Sequence, residues 1–160
     1  LTPERVLGVD PGLGRTGWAV VERTGSRVAL VEAGLVETAP GPIGSRLRVV
    51  HDGLDAVCSG LGPTTAAMER LFFTKNQTTG LDVAKAAGAA LLALQRHGLE
   101  AEELTPSQVK LAVVGTGRAD KAQVGFMVAR LLGLSGPPRP DDVADAAAVA
   151  LARALYARRG

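Results

Sequence analysis

A single cysteine in 160 residues, Cys58, rules out an internal disulfide and a cysteine-based zinc site, and it suits a reducing cytoplasm. No apolar run reaches the roughly 18 residues of a membrane span. The N-terminus has no basic stretch leading into an apolar one, so no secretory signal is read there. Internal repeats, low-complexity tracts and dividing linkers are all missing, and the Gly/Pro clusters at 39–44 and 135–140 read as loops. One domain spanning 1–160 is therefore expected, free of any membrane. The two histidines offer no paired ligand set. His51 sits on a helix among Asp52 and Asp55, and His97 precedes Gly98 at a helix end, where a cation is favourable anyway. Aromatics are few, with three Phe, one Trp and one Tyr, and lysine is scarce at four against fourteen arginines. Charge of either sign is nearly balanced, at +2 net.

What the chain does have is apolar residues, 46% of the whole, enough for a full core. Segments 6–10, 18–22 and 28–36, rich in Val, Leu and Ala and separated by turn residues, read as three strands joined by hairpins. Leu47, Val50, Leu54 and Val57 share one helical face over 46–61. A short strand follows at 65–69, then a helix at 81–97 with Leu81, Ala84, Ala87, Ala90, Leu91 and Leu94 on its apolar side. Another short strand is read at 103–105. Thr105-Pro106 opens a further helix, and helices are read over 121–132 and 142–158. Hairpin strands followed by helical crossovers define an α/β domain with a mixed five-stranded sheet flanked by helices. Trp18 and Cys58 read as core.

Four acids stand out within that pattern. Asp10 closes the first strand, and Gly12, Gly14 and Gly17 after it allow a backbone or a phosphate to come close. An Asp before a Gly-rich turn also merely starts turns, and it occurs in actin-like ATPases and sugar kinases. Glu69 closes the strand at 65–69, where a solvated strand end is the plain alternative. Asp142 and Asp145 stand three apart at the head of the last helix, so they share a face about 5–6 Å apart at Cβ. Carboxylates so close repel each other unless a cation lies between them. Acids also cap helices, but Asp141 after Pro140 can do that alone. The rest of this helix is nearly all Ala, Val and Leu, so it lies against the sheet and aims its acidic end at the strand ends. Four carboxylates without cysteine or paired histidine suit a hard cation such as Mg²⁺ or Mn²⁺ and not zinc. Two such ions about 3.5–4 Å apart serve phosphoryl transfer. With four acids gathered on metal, the remaining surface carries eighteen basic against twelve acidic groups, a field suited to a polyanion.

Taken together, Gly8-Val9-Asp10-Pro11-Gly12, Met68-Glu69-Arg70-Leu71-Phe72-Phe73, Pro106-Ser107-Gln108-Val109-Lys110 and Asp142-Val143-Ala144-Asp145-Ala146 resemble the RuvC family of bacterial Holliday junction resolvases. The first segment alone is weakly specific, whereas the four in order, covering nearly the whole chain, are highly specific. The resemblance implies a ribonuclease H-like fold and a homodimer in which each subunit nicks one of two opposed strands of a four-way DNA junction. The products would be ligatable ends with 5′-phosphate and 3′-hydroxyl groups. It implies a magnesium-dependent endonuclease, with two ions per subunit and Mn²⁺ able to substitute, held by Asp10, Glu69, Asp142 and Asp145. It also implies two functional lysines, Lys110 and Lys121, a base-stacking Phe72, and the branch-migration proteins RuvA and RuvB as partners. Phe73 is a second stacking candidate, with core packing the alternative for either ring; stacking is worth on the order of 1–3 kcal/mol per base. Arg70, Lys75, Lys85, Arg118 and Arg15 are available for phosphates beyond the cut, although a solvated surface role is the simpler reading for any one of them. Small residues Gly80, Ala84, Ala87 and Gly88 on the helix at 81–97 fit either a dimer face or close internal packing. Three rivals stay open at this point: an actin-like ATPase fragment, a junction-binding protein that does not cut, and an RNA-processing relative of the same fold.

Overall fold

Strands β1 (Glu4–Asp10), β2 (Arg15–Thr24) and β3 (Arg27–Glu37) form an antiparallel meander in a computed structural model that describes residues 2–70 and 77–156. A register shift at Val20/Val21, where β3 carries the extra residue Val31, bends β3 against β2. Two further strands, β4 (Thr65–Glu69) and β5 (Ala101–Leu104), join by helical crossovers and run parallel to β1 and to each other. The sheet order is β3-β2-β1-β4-β5.

Helix α1 (Ile43–Leu61) buries Val50, Leu54 and Cys58, one residue per turn. Gly62, at φ 57°, ends it and returns its N–H to the Cys58 carbonyl. Helix α2 (Gln77–Gln95) buries Ala86, Ala90, Ala93 and Leu94. These two cover one face of the sheet, packing on Leu7, Val9, Val20, Ala66 and Met68. Helices α3 (Pro106–Val114), α4 (Lys121–Leu132) and α5 (Asp141–Tyr156) cover the other, on Val6, Ala19, Val21, Ala67 and Leu104. Both α3 and α4 start in capping boxes, Thr105 with Gln108 and Asp120 with Gln123.

Each element read from the sequence is present, with shifted ends. Helix α2 starts at Gln77, earlier than 81, and β5 spans Ala101–Leu104 where 103–105 was read. Thr105 cannot extend the strand, because its hydroxyl accepts the Gln108 N–H as cap of α3. The stretch of the last helix beyond Tyr156 lies outside the described residues. Asp141, read as the cap of α5, lies in its first turn, and the Pro140 carbonyl receives the N–H groups of Val143 and Ala144. Trp18 is half-buried against Gly34, and Cys58 is buried. Among the described residues, no helix is long and apolar enough to cross a membrane.

Candidate active site

Strand alternation decides where the first two acids go. Val6 and Ala67 face α5, so Asp10 and Glu69, at even offsets along β1 and β4, face it too. The parallel pairing runs to Val9 and Met68, which makes Asp10 and Glu69 the next residues on neighbouring strands. Across the antiparallel pair, Asp10 stands opposite Gly17 of β2. A Cβ on Gly17 would run into the Asp142 carbonyl, and one on Gly8 into the Ala146 carbonyl and the Ala150 nitrogen at 2.5 Å. These two glycines let the backbone of α5 lie directly on β1 and β2, which sets Asp142 and Asp145 beside the strand ends. The close approach anticipated for the Asp10 turn is thus made at Gly17 by α5. Gly12 is closed off by the Arg15 carbonyl of its own loop, and Gly14 keeps an open side, with the Arg46 guanidinium the nearest group at 3.8 Å.

The four acids lie within one another's fields. Burial, then Glu69, Asp145 and Asp142 in turn, pushes the Asp10 carboxyl up from 3.8 to about 8, against a smaller pull from Lys121. Burial and then Asp145 raise Glu69, while Lys121 and Lys110 draw it back. Burial raises Asp145 as well, opposed by Lys121 and reinforced by Asp141 and Asp142. A partly buried oxygen-donor set in which Asp10, Glu69 and Asp145 resist ionisation suits a hard divalent cation, whose charge would favour the ionised forms. Among the described residues, no three His, Cys, Asp or Glu side chains are drawn into a ready-made cage. The acids share one sheet edge without being clenched, so the fit to metal rests on donor chemistry and the shared field.

Basic groups border the acids. Lys121 is the first residue of α4, with Nζ 3.1 Å from Asp141 Oδ2 and 3.7 Å from Asp145 Oδ2. The hydrogen bond to Asp141 is the main cause that holds this ammonium above its ordinary range. Half-buried Lys110 lines a cleft of about 250 Å³ with Glu69, Lys121 and Asp145. A larger cleft of about 640 Å³, bordered by Arg15, Lys121, Arg139, Asp141, Asp142 and Asp145, meets the first at Lys121 and Asp145. Arg15 Nε stands 3.6 Å from Asp142 Oδ2, which ties it to the acids themselves. Arg70 pairs with Glu103 of β5 at 3.7 Å, so part of its charge is already met. Lys85 is exposed on α2, and Arg118 is exposed in the turn before α4. Phe72, Phe73 and Lys75 lie outside the described residues. His51 and His97 pair with Asp52 and Asp55 on the opposite face of the sheet, and burial lifts the Cys58 thiol to about 11.

Two residues escaped the sequence reading. Thr16, fully buried, donates to the Gly12 carbonyl at 2.8 Å and accepts the Gly12 N–H, bracing the turn behind Asp10. Asp141 holds Lys121. A threonine between a turn and Gly17 was the available signal for the first. The second was hidden because an acid beside a proline at a helix start already had a capping explanation.

The sheet order, the helices on both faces and the acids at the ends of two parallel strands are those of a ribonuclease H-like nuclease. More narrowly, the chain belongs to the RuvC family, since the model of "Crossover junction endodeoxyribonuclease RuvC" matches residues 6–153. The protein of that name from Frankia alni is 52% identical over 149 residues, which cover 92% of this chain and 76% of that one. The one from Chloroflexus aggregans is 49% identical over 154 residues, covering 96% and 94%. Among solved structures, Thermus thermophilus RuvC in complex with Holliday junction substrate superposes with a TM-score of 0.93 at 36% identity, over 98% of this chain and 96% of that chain.

Proposed function

We infer that this protein resolves four-way DNA junctions, cutting two opposed strands by paired symmetric nicks in homologous recombination and repair. One observation carries the reading: in a chain of the RuvC family, acids from β1, β4 and α5 meet at one sheet edge within a common field. Asp10, Glu69, Asp142 and Asp145 would hold divalent metal, Mg²⁺ at two per subunit with Mn²⁺ able to substitute. Bound there, such ions supply an activated water and relief for the charge on the departing oxygen.

The chain's own residues do the rest. Asp10 and Glu69 hang on paired strands, and Asp142 and Asp145 on a helix seated on bare glycine backbone, so all four are anchored on rigid elements. Lys121 offers its ammonium to the scissile phosphate from the point where the two clefts meet. Lys110 adds positive charge beside Glu69. Phe72 or Phe73 would stack on an unpaired base, with Arg70 and Lys75 on nearby phosphates. The protein acts as one domain in the cytoplasm, as a homodimer with RuvA and RuvB as partners. Helix α2 supports the dimer, because it exposes Leu81 and Leu92 at 59% and 60% on one flank with Gly88.

Incubating the protein with a synthetic four-way junction or a linear duplex, with Mg²⁺ or EDTA, tests this. Paired symmetric nicks are expected in the junction only, and only with metal. Asp10→Asn should keep junction binding and abolish cutting; normal cutting by that variant would overturn the assignment.

A further inference from the structure

We propose that Asp141 is a positioning residue for Lys121, holding its ammonium at the mouth of the acidic site; the proposal rests on the role given to Lys121 above. Lysine in the first turn of a helix faces the positive end of the helix dipole, an unfavourable place for a cation. Lys121 occupies that place on α4, immediately after its cap Asp120. Two anions hold it there, Asp141 at 3.1 Å and Asp145 at 3.7 Å.

These anions are not equivalent. Asp145 is half-buried and belongs to the acid set, so its charge is shared once that set is engaged. Asp141 stands 81% exposed at the rim and lies outside the set. It stands in the first turn of α5, where the Pro140 carbonyl receives the N–H groups of Val143 and Ala144 and its own carboxylate turns to Lys121. Asp141 therefore keeps its hold on Lys121 when Asp145 is engaged. An ammonium has three donors, so one bond to Asp141 leaves two for a phosphate. The pair also links α4 to α5 at the larger cleft, which both residues line.

The experiment is single-turnover nicking of a synthetic four-way junction at saturating protein, titrated with Mg²⁺, for wild type, Asp141→Asn, Asp141→Glu, Lys121→Met and the Asp141→Asn/Lys121→Met double variant. For an exposed ion pair, Asp141→Asn should slow nicking about three- to fivefold. Junction binding in EDTA and the Mg²⁺ midpoint should stay as in wild type, the melting temperature should fall by no more than about 4 °C, and Asp141→Glu should recover most of the rate. In the Lys121→Met background, Asp141→Asn should have no further effect. Full additivity in the double variant, a shifted Mg²⁺ midpoint or an unchanged rate for Asp141→Asn would each overturn the proposal. Wild-type nicking by Lys121→Met would remove the lysine's role and the positioning with it. A wild-type protein that bound the junction without cutting it would instead sink the activity assigned above.

Discussion

Asp10 is the residue on which environment acts most strongly. Its carboxyl rises from 3.8 to about 8 through burial and then its three acidic neighbours. Between about pH 4 and 8 the native protein therefore binds a proton that the unfolded chain has released, and stability falls as pH rises through that window. Glu69 and Asp145, also raised, act in the same direction. Asp10→Asn removes the largest contribution. In EDTA at pH 8.5 it should melt roughly 5 °C above wild type, with the gap closing near pH 4. Thermal melts from pH 4 to 9 check this; a wild-type midpoint that climbed steadily to pH 8.5 would contradict it. Added divalent metal should narrow the gap at high pH, by favouring the ionised form of the wild type.

Helix α5 is placed by what the strands under it lack. Gly17 leaves no room for even a methyl group beneath the Asp142 carbonyl. Gly17→Ala must push the first turn of α5 off β2, carrying Asp142 and Asp145 away from Asp10. A loss of about 1–3 kcal/mol in denaturant unfolding is expected, as for overpacked cores. Nicking should fall on the order of a hundredfold, the scale for a displacement of about an ångström at a reacting site. Gly60, inside α1, has open space where its Cβ would lie. Gly60→Ala should therefore stabilise by about 0.5–1 kcal/mol with nicking unchanged. Equal effects from the two substitutions would mean that close packing at Gly17 does not matter.

At the scale of the whole molecule, the acids and α2 belong to opposite faces of the sheet, the acids on the side of α3, α4 and α5. A dimer formed through α2 would leave both acidic clefts open, as a junction with two equivalent scissile strands requires. Leu92→Glu puts a charge into the exposed apolar flank of that helix. Sedimentation should then report a monomer, and paired nicks should give way to single, uncoupled ones. A dimer that survived Leu92→Glu and Leu81→Glu together would move the interface elsewhere. Salt should weaken junction binding steeply in every variant, since basic groups outnumber the acids left outside the site.

The order and type of the elements were legible in the chain because apolar spacing, caps and turn residues act locally. Leu47, Val50, Leu54 and Val57 mark a helix face without help from the rest of the molecule, although Cys58 is buried more deeply than Val57, and Thr105-Pro106 marks a helix start. The four acids were legible as candidates because their motifs fall at strand ends and a helix head. What only the folded molecule decided was contact between parts distant in sequence. That Gly17 seats α5 and that Arg15 turns to Asp142 depend on the packing of α5 on β2, that Arg70 meets Glu103 on the pairing of β4 with β5, and that Asp141 holds Lys121 on the packing of α4 beside α5. Hydrophobic periodicity reports which side of an element is buried; it carries no information about which polar group on another element the exposed side will meet.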